Sequence, residues 1–150
     1  KFDLENRGPG TIFSTLQQAC LTTNASAGDT VLITGTDIDI YTGDMTNAHQ
    51  TNITIIGASS NPDSFPVLTL NWDTWWANNS GKIRFERVRF NNCQSIKLGI
   101  IAGKYFVADR CIFENFNSSI FIIENSRLDD SLLVITNSIF QKCFCNKFCT

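Results

Sequence analysis

Charged side chains are scarce in this sequence: Asp, Glu, Lys and Arg make up 17% of its 150 residues, against an ordinary ~25%. The formal net charge is −2, and no basic run stands out beyond Lys82–Arg89. A chain so weakly charged lacks the cationic stripe that follows a phosphate backbone, which argues against nucleic acid as a partner. Long apolar runs are also missing. None reaches the ~18 residues of a membrane-crossing helix, so no membrane insertion is expected within this chain. There is one His, His49, in the polar stretch TNAHQ, where it reads as a surface residue. No His/Cys spacing suits zinc, and no phosphate loop or Ser/His/Asp set is present, so neither metal nor cofactor is expected. The sequence opens on Lys1 rather than on Met and carries no signal peptide. Lys1 therefore reads as a mature or excised start, with any targeting segment outside it.

What is abundant points elsewhere. Hydrophobic residues make up 43% of the chain, with 12 Phe and a single Met. Rigid aromatic and β-branched side chains suit sheets better than helices, and there is enough apolar matter for one buried core. Six cysteines, Cys20, Cys93, Cys111, Cys143, Cys145 and Cys149, are an even number compatible with disulfides in an oxidising compartment. Four Asn-x-Ser/Thr sequons, at Asn24, Asn52, Asn78 and Asn117, are acceptors for covalent N-glycans. Together these features predict a secreted or cell-surface location.

Along the chain, residues 1–10 (KFDLENRGPG) read as an extended lead-in or linker ending in a Gly-Pro-Gly breaker. Residues 11–150 read as one domain. In TIFSTLQQACLTTNAS, Ile12, Leu16, Ala19 and Cys20 recur at helical spacing, and Ser14 and Gln17 have the spacing of a capping box. They predict one short amphipathic helix over about 12–22. Short strands follow at 29–36, 52–57, 67–70, 83–90, 96–102, 105–113, 120–124 and 132–140, separated by turn residues. A Cys-rich tail occupies 143–150.

Evenly spaced short strands ordinarily suggest an antiparallel sandwich, but an internal repeat argues for a different arrangement. The segments IRFERVRFNNC (83–93), FVADRCIFENF (106–116) and LVITNSIFQKC (133–143) align without gaps. The shared Phe is Phe90, Phe113 and Phe140, recurring after 23 and 27 residues. Periods in the twenties, each holding two or three strands, are the mark of coils stacked on one another. Phe90, Phe113 and Phe140 would form one interior ladder, and Cys93, Phe116 and Cys143 a second. Coils over about 29–143 would number about five. Stacking constrains the cysteines: Cys93 and Cys143, two coils and ~10 Å apart, are too distant for a disulfide, whereas Cys93 with Cys111, or two of Cys143, Cys145 and Cys149, remain candidates. Cys20 also reads as a small buried apolar residue.

On TIFSTLQQACLTTNASAGDTVLITGT, on NITIIGASS and on the three repeats, the chain resembles the pectin-lyase-like right-handed parallel β-helix proteins over roughly residues 11–143. The resemblance is one of fold and implies an all-β, right-handed parallel β-helix with the N-terminal helix as its cap. Hydrolases of that family carry Asp clusters with a nearby His and an Arg-x-Lys, and no Asn-Thr-Asp, Gly-His-Gly or Arg-Ile-Lys occurs here. Its lyases hold Ca2+ on several carboxylates with an Arg as base. Glu86 and Asp109 share one repeat position, each followed by Arg (Arg87 and Arg110). They suit either a cation or anionic-sugar site, or a surface ion-pair ladder worth little. Asp129-Asp130 reads as a turn pair.

The expectation is a non-enzymatic, glycosylated extracellular structural or adhesive module, one unit of a longer surface protein or filament, with head-to-tail self-association as one mode of partnership. No catalytic residue is assigned. A carbohydrate-binding module is the alternative: Trp72, Trp75 and Trp76 in NWDTWWANNS can stack on sugar rings or anchor a protein partner. Arg87 and Arg89, spaced to share a strand face, can meet carboxylates. A divergent polysaccharide lyase or hydrolase is the third reading.

Overall fold

The structure is a computed structural model and describes residues 2–4, 11–34, 38–40, 52–69, 81–93, 96–98, 104–117, 120–123 and 132–143. The N-terminal strands are β1 (Phe2–Leu4) and β2 (Ile12–Phe13), followed by helix α1 (Leu16–Cys20). Then come β3 (Thr30–Ile33), β4 (Ile38–Ile40), β5 (Ile53–Gly57), a 3-10 turn (Pro62–Ser64) and β6 (Val67–Thr69). The repeats supply β7 (Gly81–Glu86) with β8 (Arg89–Asn91), β10 (Lys104–Asp109) with β11 (Ile112–Glu114), and β13 (Leu132–Thr136) with β14 (Ile139–Gln141). Between them lie β9 (Ile96–Leu98) and β12 (Phe121–Ile123).

These strands form a seven-stranded sheet ordered β13-β10-β7-β5-β3-β1-β2, a five-stranded sheet ordered β14-β11-β8-β6-β4, and the pair β12-β9. Neighbours run parallel except at one edge, where β1 lies antiparallel to both β2 and β3. The expected all-β, single right-handed parallel β-helix of about five coils is therefore corrected. The main sheet is mixed, the strands divide among three sheets, and α1 and the 3-10 turn interrupt them. The cause lies upstream of the repeats. Phe2 is 4% exposed, and burying it places β1 on β3 in a reversed direction that parallel stacking cannot accommodate. Residues 2–4, part of the expected lead-in, are thus a strand of the chain's own sheet.

The repeats do superpose. Phe113 pairs with Phe90 on one side and with Phe140 on the other. The ring centroids are 5.0 and 4.8 Å apart and the rings are stacked, with interplanar angles of 26° and 9°. On the larger sheet, Ile83, Phe106 and Leu133 share one row, and Phe85, Ala108 and Ile135 the next. The small Ala108 beside Phe85 leaves room for Phe106, whose ring lies 5.8 Å from that of Phe85. Large and small residues alternate in this way to fill a core without voids. Phe85, Phe90, Phe106, Phe113 and Phe116 are all fully buried.

Each copy bends twice. Arg87, Arg110 and Asn137, at the fifth repeat position, and Asn92, Asn115 and Lys142, at the tenth, have φ between 50° and 58°. That left-handed conformation costs most residues about 1–2 kcal/mol. It is offset because the corner amides keep the ladder going: Arg87 N–H donates to Asp109 O, Arg110 N–H to Thr136 O and Asn92 N–H to Glu114 O, at 3.2, 3.0 and 3.1 Å. The fifth-position bend separates β7 from β8 and turns the chain from the large sheet onto the smaller one.

Helix α1 is shorter than expected. Thr15, not Ser14, is its N-cap and accepts from Gln18 N–H at 3.2 Å, while Ser14 Oγ donates to Gln18 Oε1. Leu16, Ala19 and Cys20 are fully buried, as the apolar stripe requires, but Ile12 belongs to β2 and is 56% exposed. Among the described residues no helix is long and apolar enough to cross a membrane.

Gly57 ends β5 directly against the first corner. A Cβ there would stand 2.1 Å from Arg87 O and 2.7 Å from Pro66 Cδ, so Gly57→Ala is expected to destabilise by about 2–3 kcal/mol, seen as a lower urea midpoint at unchanged m-value. Phe113→Ala, at the middle of the ring stack, is expected to cost about 3–5 kcal/mol. Phe140→Ala, with its ring 37% exposed, should cost clearly less in the same titration.

Candidate functional site

The charged side chains of the repeats gather on the outer face of the large sheet and at its corner. Because Ile83, Phe85, Phe106 and Ala108 point inward, strand alternation turns Lys82, Arg84, Glu86 and Asp109 outward. Register then sets Glu86 beside Asp109. Two carboxylates side by side would repel, and guanidinium groups resolve this. Arg84 Nη2 lies 3.3 Å from Glu86 Oε2 and 3.5 Å from Asp109 Oδ2, bridging the two strands. Arg87 Nη1 donates to Glu86 Oε1 at 2.8 Å, and Arg110 donates to both carboxylates, reaching Asp109 Oδ2 at 3.2 Å. Of the two readings of Glu86 and Asp109, the geometry is that of an ion-pair ladder.

The third copy replaces the acid–Arg pair with Thr136-Asn137, and both serve Asp109. Thr136 Oγ1 and Asn137 Nδ2 donate to Asp109 Oδ1 at 2.8 and 2.9 Å. These two hydrogen bonds, Asn137 first, together with Arg110 hold the Asp109 carboxyl below its ordinary 3.8 against the opposing effect of partial burial. Asp109 is thereby kept ionised. Aligning the third copy under the first two would have revealed Thr136 and Asn137 from the sequence, since they occupy the positions of Glu86-Arg87 and Asp109-Arg110.

A second polar set lies on the smaller sheet. Glu114, 8% exposed, accepts from Arg89 Nη1 at 3.0 Å and from Gln141 Nε2 at 2.7 Å. Asn115 Nδ2 donates to Asn91 Oδ1 at 2.6 Å. Arg87 and Arg89 do not share a face as expected. The left-handed Arg87 breaks the two-residue alternation, so Arg87 turns to Glu86 and to Gly57 O at 2.9 Å. Arg89 instead joins the other sheet, with Nη2 also donating to Pro62 O. Both arginines meet carboxylates, but those of their own chain.

Cys20, Cys93, Cys111 and Cys143 form no disulfide among the described residues, and Cys145 and Cys149 lie outside the described residues. Cys93 does not pair with Cys111 because the two occupy different repeat positions: Cys111 aligns with Val88 and Ser138, and Cys93 with Phe116 and Cys143. Phe116, fully buried, separates the latter two. Each of these thiols instead donates to the strand below, Cys93 Sγ to Leu68 O at 3.4 Å and Cys143 Sγ to Phe113 O at 3.5 Å. Burial pushes the Cys20 thiol up and the Cys111 thiol up to about 12.

Of the sequon residues, Asn52 and Asn117 are exposed. Asn24 is half-buried and its Nδ2 donates to Gln18 O at 2.7 Å, holding the end of α1. Asn78, Trp72, Trp75, Trp76, His49 and the Asp129-Asp130 pair lie outside the described residues. No group of His, Cys, Asp or Glu able to hold a metal occurs among the described residues. Comparison of the chain with family models, with curated proteins and with solved structures finds no match.

Two outcomes are expected. A carboxyl whose folded-state value is lowered contributes stability at neutral pH and loses it as pH falls, here from about 4 downward through the lowered value. Asp109→Asn should therefore flatten the acid limb of a stability–pH curve below pH ~4. Thiolates, not thiols, are the nucleophiles, so brief iodoacetamide treatment of the folded protein should alkylate Cys143 well ahead of Cys20 and Cys111, as read by peptide mass spectrometry.

Proposed function

We propose that this chain is an extracellular, N-glycosylated structural or adhesive module, serving as one unit of a longer surface protein or filament. The observation that carries this reading is the use made of the repeats' carboxylates. Glu86 is tied to Arg84, Arg87 and Arg110, Asp109 to Arg84, Arg110, Thr136 and Asn137, and Glu114 to Arg89 and Gln141. A carboxylate so paired has little capacity left for a cation, and Asp109, held below its ordinary carboxyl value, is a poor proton donor. Such a face holds strands in register, which is a structural task. The sequons support the extracellular part of the reading, since Asn52 and Asn117 present exposed side chains. The outermost described strands, β13 and β14, leave Ile139 and Phe140 exposed, a surface suited to a further layer or a second copy.

Protein secreted from eukaryotic cells is expected to lose mass on treatment with an amide-cleaving glycosidase, with Asn converted to Asp at Asn117. It is also expected to release no unsaturated oligosaccharide from pectin. An unchanged mass would remove the glycoprotein reading, and accumulation of unsaturated product would replace the structural role with a lyase.

A further inference from the structure

A cleft of about 450 Å3 opens between the 27–28 turn and the outer faces of β5 and β7. Thr54, Lys82 and Arg84 line it, with Gly28 and Asn52 at its edge. Three side-chain hydrogen-bond donors line it, and none is fully used within the chain. Among the described residues no carboxylate pairs with Lys82, and the Thr54 hydroxyl has no partner. Arg84 uses only Nη2 on Glu86 and Asp109, which leaves Nε and Nη1. The walls are settled by backbone. Gly28 N–H donates to Asn52 O at 2.7 Å, and Asn52 Oδ1 accepts from Lys82 N–H at 2.9 Å, so the turn and the start of β7 are both tied to Asn52, just ahead of β5. At Gly28, φ is +91° and no atom lies within 4 Å of where a Cβ would be, which keeps that wall low and open.

Local charge has the opposite sign to that of the whole chain. Lys82, Arg84, Arg87 and Arg110 outnumber Glu86 and Asp109 on this face. Asp29, next to the turn, accepts from Ser26 N–H at 2.8 Å. A concave surface with surplus cations and unsatisfied donors attracts an anion rich in acceptor oxygens. The volume exceeds that of a bare inorganic ion and falls within the range of small-molecule sites.

We propose that this cleft binds a sulfate or phosphate monoester carried on a sugar-sized body, with Lys82 and Arg84 as its charged contacts and Thr54 as a hydroxyl donor. A tetrahedral ester group presents three outward oxygens to three donors, which a planar carboxylate does not. Because Asn52 lies at its edge and is itself a sequon residue, the site is tested on the full chain made without glycans.

Glucose 6-sulfate and glucose 6-phosphate are titrated into the 15N-labelled protein, with glucuronate and glucose as comparison ligands. Saturable shifts of the Gly28, Thr54 and Lys82 amides are expected with one or both esters, and the ester giving the lower Kd identifies the source. Lys82→Gln should weaken that binding about five- to tenfold, and raising salt should weaken it further. The exposed Lys82 is a mild place to substitute, and an unchanged amide spectrum elsewhere verifies the fold. Thr54→Val gives a second, uncharged probe of the same contact. The proposal is overturned if glucose or glucuronate binds as well as the esters, if Lys82→Gln leaves the esters' affinity unchanged, or if no saturable shift occurs.

Discussion

Phe113 lies between Phe90 and Phe140 with its ring almost parallel to both, and the backbones carrying these rings are hydrogen-bonded in the same register. Stacking and strand pairing reinforce each other at this point. A shift of one residue in β8 or β11 would turn a buried ring out to solvent and bring a polar neighbour inward. Register in a parallel stack is otherwise weakly specified, because the hydrogen bonds are evenly spaced and tolerate sliding. The ring column removes that freedom, and everything on the outer surface inherits its position from it.

The ion-pair ladder is the clearest consequence. Glu86 and Asp109 are neighbours only because Phe85 is opposite Ala108 and Phe90 opposite Phe113. Once adjacent, the two carboxylates need cations between them, and Arg84, Arg87 and Arg110 supply these from the same strands and corners. Surface ion pairs add little stability singly, but a network that is satisfied only in one register penalises the others. The left-handed corners act in the same direction. At Arg87, Arg110 and Asn137 the chain accepts an unfavourable φ, and the corner amides remain bonded to the next layer only while the copies are aligned.

The cysteines follow from the same geometry. In three copies of one motif, thiols fall on two separate columns, and the aromatic Phe116 occupies the position between Cys93 and Cys143. Their chemistry is accordingly that of small side chains, buried at Cys93 and Cys111 and half-buried at Cys143, each with a weak hydrogen bond to a carbonyl, not that of crosslinks.

Sequence alone determined the parts that recur. Phe90, Phe113 and Phe140, the matching of Glu86 with Asp109, and the buried stripe Leu16, Ala19 and Cys20 were all legible, because periodic apolar spacing records which face of a strand or helix meets the core. The environment of Asp109 was half legible: its arginine lies next to it, but Thr136 and Asn137 come from a copy where the acidic residue is missing. What tertiary structure decided lies where no repeat exists. β1 antiparallel to β3, the mixed sheet that results, the strand at Ile12–Phe13 and the glycine pressed against Arg87 O all depend on contacts between segments distant in sequence and different in pattern. The separation of Arg87 from Arg89 depends on a corner that a non-glycine residue gives no local sign of. Such contacts are chosen by which surfaces remain to be covered once the repeats have stacked, and that is a property of the packed whole and not of any single stretch of chain.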